Sequence, residues 1–460
     1  MPARFRIENP ALAQPLRQIE QVIRRAGGRT WLVGGCVRDL VLGRQPRDLD
    51  LEIHGLPPGL LHKLLTEHVP VQFVGKAFGV FKLAGLPIDI ALPTRRLMGE
   101  PSIPGLLQQA DPDMDIDEAL ARRDFTINAM AWDPDTLELR DPFDGRADLA
   151  QRCLRHVSDR FSEDPLRVLR GMQLAARYDL TGAPDTLALC RTLTQDTLPS
   201  ERVWDEWKKW LLQGAKPSAG LHWLHDCEWL RFYPELAALQ GCPQDAEWHP
   251  EGDVWVHTLH CLDAFATERT GQNDDDLAVG LGVLCHDFGK PATTKEEAGR
   301  ITSRGHEPEG EAPTRRFLER LTNQQGLADE VVLLVRCHLR PRQLYDAQAS
   351  DSAVRRLAKQ VGRIDRLVRV ARADHLGRPP KPDDGFPAGV WLLEKARKLA
   401  VEREAPAPIV MGRHLLELGV PPGPAMGTLL EACYEAQLDG VFSTLDEGLA
   451  YARRIHSATS

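Results

Sequence analysis

Short apolar stretches separated by glycine and proline fill the first 150 residues of the chain. Five of them have the length and spacing of strands: TWLVGG, DLDLEI, VQFVG, GVFKLAG and PIDIAL. Half-buried strands alternate apolar and polar residues, and Gly and Pro mark the turns between them. This part of the sequence predicts a small α/β domain.

From about residue 150 the apolar residues recur at intervals of three and four, as in DPLRVLRGMQLAARY and RVWDEWKKWLL. This is the period of an amphipathic helix, so the rest of the chain is predicted to be almost wholly helical and the fold class is α+β. Turn-rich stretches at 241–253 and 377–389 are predicted seams between helical units. Together these boundaries predict four domains: 1–149, 150–240, 241–380 and 381–460.

Composition limits the kinds of protein this can be. A chain of 460 residues exceeds the roughly 250–300 residues at which a single core stops growing. No apolar run approaches the roughly 18 residues of a membrane helix, and the beginning of the chain lacks a signal sequence. Nine cysteines without CxxC pairing fit a reducing compartment, so we expect a cytoplasmic protein with no membrane partner. The net charge of −9 argues against a surface that is basic throughout, so any contact with RNA must be made by a limited part of the protein.

A glycine turn lies in the segment LVGGCVRDLVLGRQPRDLDLEI (32–53). A predicted strand leads into Gly34 and Gly35 and a helix follows, which leaves backbone N–H groups available to a triphosphate. Arg38, one turn into the helix, adds a permanent cation. A GG pair alone more often only changes the chain direction, and that alternative stays open.

Two carboxylates follow the glycine turn. Asp48 and Asp50 share a face if DLDLEI is a strand, and converging hard oxygen ligands are what Mg²⁺ needs to activate a hydroxyl and stabilise a pyrophosphate leaving group. A solvated strand edge is the alternative for a bare DxD, but the glycine turn favours the metal. Asp89 in PIDIAL is a candidate third carboxylate, with a capped residue of an edge strand as an equal alternative.

The segment SEDPLRVLR carries a candidate base-reading surface. Asp164 and Arg167 share a helix face, and Arg170 lies one turn beyond. Asp offers acceptors and Arg offers donors, which suits the amine and bare ring nitrogen of cytosine and adenine and disfavours guanine and uracil. An ordinary helical salt bridge is the alternative.

The segment ARRDFTINAM (121–130) places charged and amide side chains around an apolar run. Arg123 is a candidate phosphate contact and Asp124 a candidate ribose contact, and Asn128 is grouped with them at the nucleotide site. The alternative is a charged helix start.

Taken together, GGCVRD, DLD, RRDFTINAM, DPFDG and EDPLRVLR resemble, in this order, the motifs of class II tRNA nucleotidyltransferases and bacterial poly(A) polymerases. The resemblance implies a head with a polymerase-β-like mixed sheet, then a helical neck, body and tail that hold tRNA. It implies that two aspartates bind Mg²⁺, that the other motif residues bind ATP or CTP, and that Asp164 with Arg167 is the template for bases. The residues so assigned to nucleotide or metal are Gly35, Arg38, Asp48, Asp50, Arg123, Arg167 and Arg170.

Two further segments extend the resemblance, and one departs from it. Residues 198–211 are similar to the family's neck and residues 411–440 to its C-terminal segment. The loop 94–114 lacks the family's basic, glycine-rich run and is stiffened by Pro101 and Pro104. In similar enzymes this loop helps the pocket to accept ATP after two CTP. Because the length of the loop is kept, we still expect full CCA addition to the tRNA 3′ end, with A-only addition, CC-only addition and poly(A) synthesis as alternatives.

A second candidate metal site lies in the third predicted domain. Neutral imidazoles and carboxylates are ligands of transition metals, and their order here resembles the H…HD…H…H…D pattern of HD-type phosphohydrolases, with Ni²⁺, Mn²⁺ or Co²⁺ as the implied cofactor. An inactive relic is one alternative. An HD phosphohydrolase with a nucleotide-sensing head is another, against which the complete DLD pair argues. The candidate ligands are His257, His286, Asp287, His306, His338 and Asp374.

A run of basic residues follows the HD-like pattern. It could track an RNA backbone, since such contacts are mostly electrostatic, or it could be a solvated helix face. Its members are Arg355, Arg356, Lys359, Arg363, Arg366 and Arg369.

Overall fold

The computed structural model of the protein describes residues 5–69, 71–74, 80–96 and 108–459. Contacts divide the chain into two compact units. The first runs to Gly171 and includes Tyr178–Leu198, and the second consists of Met172–Arg177 and the residues from Pro199 onward.

The first unit contains the main sheet. Seven of its described strands pair in the order β3-β4-β5-β2-β1-β8-β9; β2 and β5 are parallel and the other neighbours antiparallel. The predicted mixed sheet is confirmed. The strands of this unit are β1 (Arg29–Val33), β2 (Leu49–His54), β3 (Val71–Val74), β4 (Val80–Leu83), β5 (Ile88–Ala91), β6 (Thr94–Arg96), β7 (Gln108–Ala110), β8 (Ala131–Trp132), β9 (Leu139–Arg140), β10 (Cys153–Leu154) and β11 (Thr181–Gly182).

The helices that begin in this unit follow in chain order. They are α1 (Pro10–Arg25), α2 (Gly35–Val41), α3 (Pro58–His68), α4 (Ile116–Leu120), α5 (Gly145–Ala150), α6 (Leu166–Tyr178) and α7 (Pro184–Arg191), with 3-10 turns at Thr126–Asn128 and Asp159–Glu163. The helix predicted from DPLRVLRGMQLAARY is α6.

One face of β2 is buried and the other carries acidic residues. Leu49, Leu51 and Ile53 are at most 1% exposed, and Asp50 and Glu52 occupy the alternate positions. Because side chains of a strand point alternately to its two faces, packing of the three apolar residues determines where the acids point.

The second unit is helical apart from one hairpin. Within the described residues, no helix is both long and apolar enough to cross a bilayer. The helices are α8 (Ser200–Gln213), α9 (Pro217–Asp226), α10 (Pro234–Ala237), α11 (Val254–Thr267), α12 (Asn273–Cys285), α13 (Lys290–Thr293), α14 (His306–Glu309), α15 (Glu311–Leu321), α16 (Gln325–Cys337), α17 (Arg340–Asp346), α18 (Asp351–Val361), α19 (Ile364–Leu376), α20 (Pro387–Lys398), α21 (Gly412–Glu417), α22 (Pro424–Leu438) and α23 (Leu445–Thr459), with a 3-10 turn at Trp229–Phe232.

Aromatic residues at helical spacing bury α8. Trp204, Trp207 and Trp210 are at most 6% exposed. The Trp207 ring lies 4.9 Å from the Tyr233 ring and 5.5 Å from the Phe317 ring, in the edge-on arrangement that aromatic pairs prefer. The amphipathic helix predicted from RVWDEWKKWLL is confirmed.

The hairpin was not predicted from the sequence. Its strands, β12 (Lys295–Glu297) and β13 (Arg300–Thr302), pair antiparallel across a two-residue turn. Ala298 and Gly299 in this turn both have positive φ, of 51° and 74°, which matches the twist of a two-residue hairpin. The strands are too short and polar to produce an alternating pattern.

The basic run of α18 and α19 is paired within the protein. Arg356 bonds to Glu435 and Asp439 of the C-terminal region, and Arg366 bonds to Asp275 and Glu330. These cations therefore connect neighbouring helices, while the side chains of Arg356 and Lys359 are 43% and 39% exposed. RNA binding and a solvated helix face both stay predictions. The other members bond as follows: Arg355 to the Leu438 carbonyl, Lys359 to Glu435, Arg363 to Asp275 and Asp365, and Arg369 to Asp276.

Candidate functional site

The acidic residues of the first unit meet where two parallel strands run side by side. Asp50 of β2 is in register with Asp89 of β5, and Asp48 directly precedes β2. Partial burial raises the pKa of Asp50; Arg123 lowers it, and the charges of Asp48 and Asp89 raise it. Three carboxylates whose charges repel one another supply the hard oxygen ligands that a divalent cation prefers.

Asp89 has a protein partner and lies in an interior strand. Its Oδ2 is 2.9 Å from Nζ of Lys82 on β4, and β5 lies between β4 and β2. The alternative of an edge-strand aspartate was therefore wrong. Lys82 was missed, although its place in the alternating strand GVFKLAG could have indicated it.

The glycine turn brings a cation close to the acids. Gly34 has φ +75°, and a Cβ there would lie 2.6 Å from Nη1 of Arg123 and 3.6 Å from Oδ2 of Asp50. Arg123 also approaches Glu52, with Nη2 3.6 Å from Oε2. Gly34 thus serves both the backbone conformation and the close approach of Arg123. Gly35 begins the seven-residue helix α2.

Arg38 lies behind this turn rather than in the open. Its side chain is buried, and its guanidinium donates to Oδ1 of Asn128, to the Tyr178 hydroxyl at 2.6 Å and to Asp39 at 3.2 Å. The Tyr178 ring also stacks under the guanidinium at 4.4 Å. Arg38 therefore braces α2 against the end of α6. Tyr178 gave no sequence signal, because it is 140 residues away.

Asp124 is the centre of a buried network. Its carboxylate accepts from the Phe125 backbone N–H at 2.8 Å, the Asn128 amide at 3.1 Å and Nε of Arg170 at 2.7 Å. Burial raises its pKa, but Arg170 and these hydrogen bonds outweigh burial and lower it to about 2. Asp124 is therefore a permanent anion that links Arg170, through Asn128, to Arg38.

Arg167 and Asp164 hold the beginning of α6. Arg167 donates to the backbone carbonyls of Arg160 and Arg122, both at 2.7 Å, and its burial lowers its pKa. The Asp164 carboxylate accepts from the Leu166 N–H at 3.2 Å. The structure thus places both predicted base-reading residues in the same unit as the acids.

Glu52 was missed by the sequence analysis despite a signal. It continues the alternation Asp48, Asp50 along the same strand. Burial raises its pKa, but hydrogen bonding to His54 and the charge of Arg123 outweigh burial and lower it. It therefore presents a negative charge to Arg123.

All six predicted ligands of the second metal site come together in the second unit. His257 lies on α11 and Asp374 on α19, and their Nε2 and Oδ1 atoms are 3.1 Å apart. The others follow α12 and α16 or begin α14. They separate into an inner group of His257, His286 and Asp374 and an outer group of Asp287, His306 and His338.

Backbone hydrogen bonds orient three histidines. In His286, His306 and His338, Nδ1 lies 2.7, 2.8 and 2.7 Å from the carbonyl oxygen three residues earlier. A carbonyl only accepts, so each Nδ1 donates a hydrogen bond to it, and Nε2 is the ring nitrogen left to face the cluster. This is how proteins commonly orient histidine for a metal ion.

Metal-binding atoms consequently face one another inside the cluster. Nε2 of His306 is 3.3 Å from Nε2 of His338, and Nε2 of His286 is 3.2 Å from Oδ2 of Asp287. Burial and the two neighbouring histidines lower the pKa of His338 to about 3, so this ring stays neutral. The nitrogen and oxygen donors gathered here fit a transition-metal ion.

The outer group opens to solvent. Asp287, His306 and His338 line a cavity of about 460 Å³, together with Lys290 and Trp248. Nζ of Lys290 lies 2.7 Å from Oδ2 of Asp287. Burial raises the pKa of Asp287, but His286, Lys290 and His306 hold it well below its usual value. The cavity thus combines a permanent anion with a cation at its wall.

The two stretches predicted as seams contribute to this site. Glu251, in 241–253, approaches Nδ1 of His257 at 2.7 Å and Nδ1 of His249 at 2.9 Å. The carbonyl of Gly377, which opens 377–389, lies 3.2 Å from Nδ1 of His257. Glu251 and His249 were missed because Gly and Pro around them indicated only a turn.

Residues 30–155 match the family described as Poly A polymerase head domain. The chain is 39% identical over 372 residues to the multifunctional CCA protein of Laribacter hongkongensis, a match covering 78% of this chain and 87% of that protein. A protein of the same name from Stenotrophomonas maltophilia is 39% identical over 381 residues, covering 79% of this chain and 90% of that protein.

Solved structures share the fold at lower identity. The Bacillus stearothermophilus CCA-adding enzyme in complex with CTP is similar at a TM-score of 0.68 and 21% identity, over 98% of this chain and 99% of that chain. The Thermotoga maritima CCA-adding enzyme complexed with tRNA is similar at a TM-score of 0.57 and 18% identity, over 97% of this chain and 96% of that chain.

Proposed function

Because the chain belongs to the family of multifunctional CCA proteins, which are nucleotidyltransferases, we propose that it adds CCA to tRNA 3′ ends from CTP and ATP. The observation that carries this proposal is the meeting of Asp48, Asp50 and Asp89 beside the Gly34 turn and Arg123. In each step the RNA 3′ oxygen bonds to the α-phosphorus of the nucleotide. The bond to the bridging oxygen breaks, pyrophosphate leaves, and the hydroxyl proton passes to solvent.

We assign Mg²⁺ to the carboxylates of Asp48 and Asp50, with Asp89 as the adjoining acid. Their oxygens and mutual repulsion suit a small divalent cation. Bound there, Mg²⁺ supplies activation of the hydroxyl and stabilisation of charge on the leaving pyrophosphate. Arg123, beside Asp50, binds the phosphates, while Arg38 and Asp124 keep the surrounding elements in place.

The base is read by the beginning of α6. Asp164 offers an acceptor and Arg167 a donor, and cytosine and adenine present the complementary pattern. Arg170, anchored on Asp124 at 2.7 Å, adds charge to the same surface.

One gel tests this function. Radiolabelled nucleotides are supplied to tRNA transcripts that end before CCA, to transcripts that end after CC, and to an unstructured RNA. We expect two C and one A on the first substrate and one A on the second. Failure of CTP alone to extend the first substrate by two residues, with normal A addition to CC ends, would indicate A-only addition. CC addition without A would indicate a CC-adding enzyme, and long A tails on unstructured RNA would indicate a poly(A) polymerase.

Gly34→Ala should lower kcat/KM for nucleotide addition by about 10- to 100-fold, the value of one charge-assisted contact. The new Cβ would displace Arg123, 2.6 Å away. Gly43→Ala is the matched control, because Gly43 also has positive φ, +68°, but no atom lies within 4 Å of a Cβ there. Equal losses in the two variants would assign the effect to backbone strain and remove Arg123 from the site.

Arg167→Ala should reduce the preference for C and A over G and U by about 10-fold or more, because the donor facing the ring nitrogen is lost. Single-nucleotide incorporation with each of the four triphosphates measures this. Arg160→Ala, which removes a neighbouring exposed cation, should keep the preference. A slower Arg167→Ala enzyme with unchanged selectivity would limit Arg167 to its bonds with the Arg160 and Arg122 carbonyls.

We further propose that the second unit is a metal-dependent phosphohydrolase acting on RNA ends or 2′,3′-cyclic phosphates. The supporting observation is the pair of facing ring nitrogens of His306 and His338 at a cavity wall that also carries Asp287 and Lys290. Ni²⁺, Mn²⁺ and Co²⁺ are the proposed cofactors, since imidazole and carboxylate ligands suit them.

We propose that the chain is divided into four domains. Residues 1–149 form the nucleotidyltransferase head, 150–240 the neck with the base-reading surface, 241–380 the HD domain and 381–460 a tRNA-binding body and tail. The family loop 94–114 is proposed to re-form the pocket between CTP and ATP. Its ends pair as β6 and β7, while Pro101 and Pro104 lie outside the described residues.

A further inference from the structure

A cysteine lies beside the inner group of the second metal site, whose six ligands, His257, His286, Asp287, His306, His338 and Asp374, are called the HD cluster. Cys261 follows His257 by one turn of α11, and its Sγ is 3.3 Å from Nε2 of that histidine. Both residues are fully buried. The sulfur and the ligand atoms of His257, His286 and Asp374 all lie within 4.8 Å of one another.

The spacing of these atoms is that of ligands around one ion. Nε2 of His257 is 3.3 Å from Sγ of Cys261 and 3.1 Å from Oδ1 of Asp374. A tetrahedral ion with bonds of about 2.0–2.3 Å keeps its ligand atoms roughly 3.3–3.8 Å apart, close to these distances. In addition, Nε2 of His286 is buried and has no hydrogen-bond partner among the described residues.

Gly377 makes room for the sulfur. A Cβ at this position would lie 2.2 Å from Sγ of Cys261. The φ of Gly377 is −69°, which any residue can adopt, so the glycine is needed for space and not for conformation. Its carbonyl lies 3.2 Å from Nδ1 of His257, so the same residue accommodates the cysteine and orients the histidine.

Three of the four inner ligands are fully enclosed. His257, Cys261 and His286 are at most 1% exposed, while Asp374 lines the same cavity as the outer ligands. Structural sites built from Cys, His and Asp ligands are four-coordinate. The inner group therefore offers one sulfur, two nitrogen and one oxygen donor to a single ion, with its oxygen donor at the cavity.

We propose that Cys261 is a thiolate ligand of a late transition-metal ion, held with His257, His286 and Asp374 as the inner position of the cluster. The metal–sulfur bond forms as the thiol releases its proton to solvent. A thiolate favours Zn²⁺, Co²⁺ or Ni²⁺ over Mn²⁺ and Mg²⁺, which prefer oxygen. The inference rests on the metal-binding part of the proposed function and is independent of whether phosphate esters are hydrolysed.

Absorption spectroscopy of the full-length protein with Co²⁺ tests the assignment. The metal-free protein is titrated with CoCl₂, and the near-ultraviolet sulfur-to-cobalt charge-transfer band is recorded for wild type, Cys261→Ser and Cys227→Ser. Cys227 is also fully buried in the second unit and controls for loss of a thiol. We expect the band in wild type and Cys227→Ser and its loss in Cys261→Ser. Circular dichroism of each variant verifies folding, and Cys261→Asp supplies an oxygen ligand that should restore cobalt binding without the band.

Each outcome separates this inference from the hydrolase proposal. Cobalt binding without the sulfur band in wild type, or a band that persists in Cys261→Ser, would overturn the role of Cys261 even if the protein hydrolyses phosphate esters. No cobalt binding at all would overturn it as well. The band without any hydrolysis would support Cys261 as a ligand and contradict the hydrolase.

Discussion

Asp50→Ala is expected to reduce nucleotide addition to tRNA by about 1000-fold or more, since a metal ligand contributes several kcal/mol to the transition state and each 1.36 kcal/mol is a factor of ten. Asp48→Ala should give the same result. The affinity for tRNA should not change, because these interactions are made with metal ion and reacting phosphate and not with the body of the RNA. Single-turnover incorporation and filter binding measure the two quantities separately.

The matched variants for this experiment are Asp50→Asn and Asp135→Ala. Asn keeps the shape and removes the charge, so it should lose activity like Ala. Asp135 is an acid of the same unit that pairs with Arg24 at the surface, and its removal should leave the rate unchanged. Normal catalysis in both Asp48→Ala and Asp50→Ala would exclude the assigned metal site.

The part of the acidic site that lies along one strand could be predicted from the alternation of apolar and acidic residues. The alternation in DLDLEI placed Asp48 and Asp50 on one face, and the same rule extends to Glu52. The register of Asp50 with Asp89 depends on a parallel pairing between strands separated by β3 and β4. Single-strand patterns do not encode which strand becomes the neighbour.

The contacts of Arg38 with Asn128 and Tyr178 could not be predicted from local sequence for a related reason. The sequence around Arg38 is the same whether the side chain faces solvent or the Tyr178 ring. Only the tertiary fold brings Tyr178 to it. The basic residues of α18 and α19 illustrate the same point. A periodic row of cations is identical in sequence for RNA binding and for ion pairs such as Arg356 with Asp439.

The histidines and aspartates of the HD cluster were predictable by residue type and order, but the groups that orient them were not. His286 and Asp287 are adjacent in sequence, His257 lies on the preceding helix α11, and the others recur on later helices. The carbonyl partners that orient the rings, and Glu251 in a turn-rich stretch, carry no compositional signal. Loops often supply such residues because a rigid scaffold positions them, so a Gly- and Pro-rich stretch beside a metal motif is better interpreted as part of the site.

Asp287→Asn is expected to reduce the rate of hydrolysis of 2′,3′-cyclic phosphates by about 1000-fold or more, while nucleotide addition continues. Asp287 is buried between the histidines and Lys290, and its burial and permanent charge suit it to hold a cation at the cavity wall. Asn retains the volume, so the surrounding packing should survive. Nucleotide addition should be unaffected because the acids proposed for it belong to the first unit.

The measurement uses metal-free protein supplied with Ni²⁺, Mn²⁺ or Co²⁺ and follows opening of a 2′,3′-cyclic nucleotide by chromatography, with CCA addition assayed on the same preparations. Asp329→Asn is the control, because Asp329 is an exposed acid of α16 paired with Arg315 and lies on the helix that precedes His338. It should hydrolyse at the wild-type rate. Wild type without hydrolysis under all three metals would show that the cluster is a relic, and a parallel fall of both activities in Asp287→Asn would point to loss of folding rather than loss of a ligand.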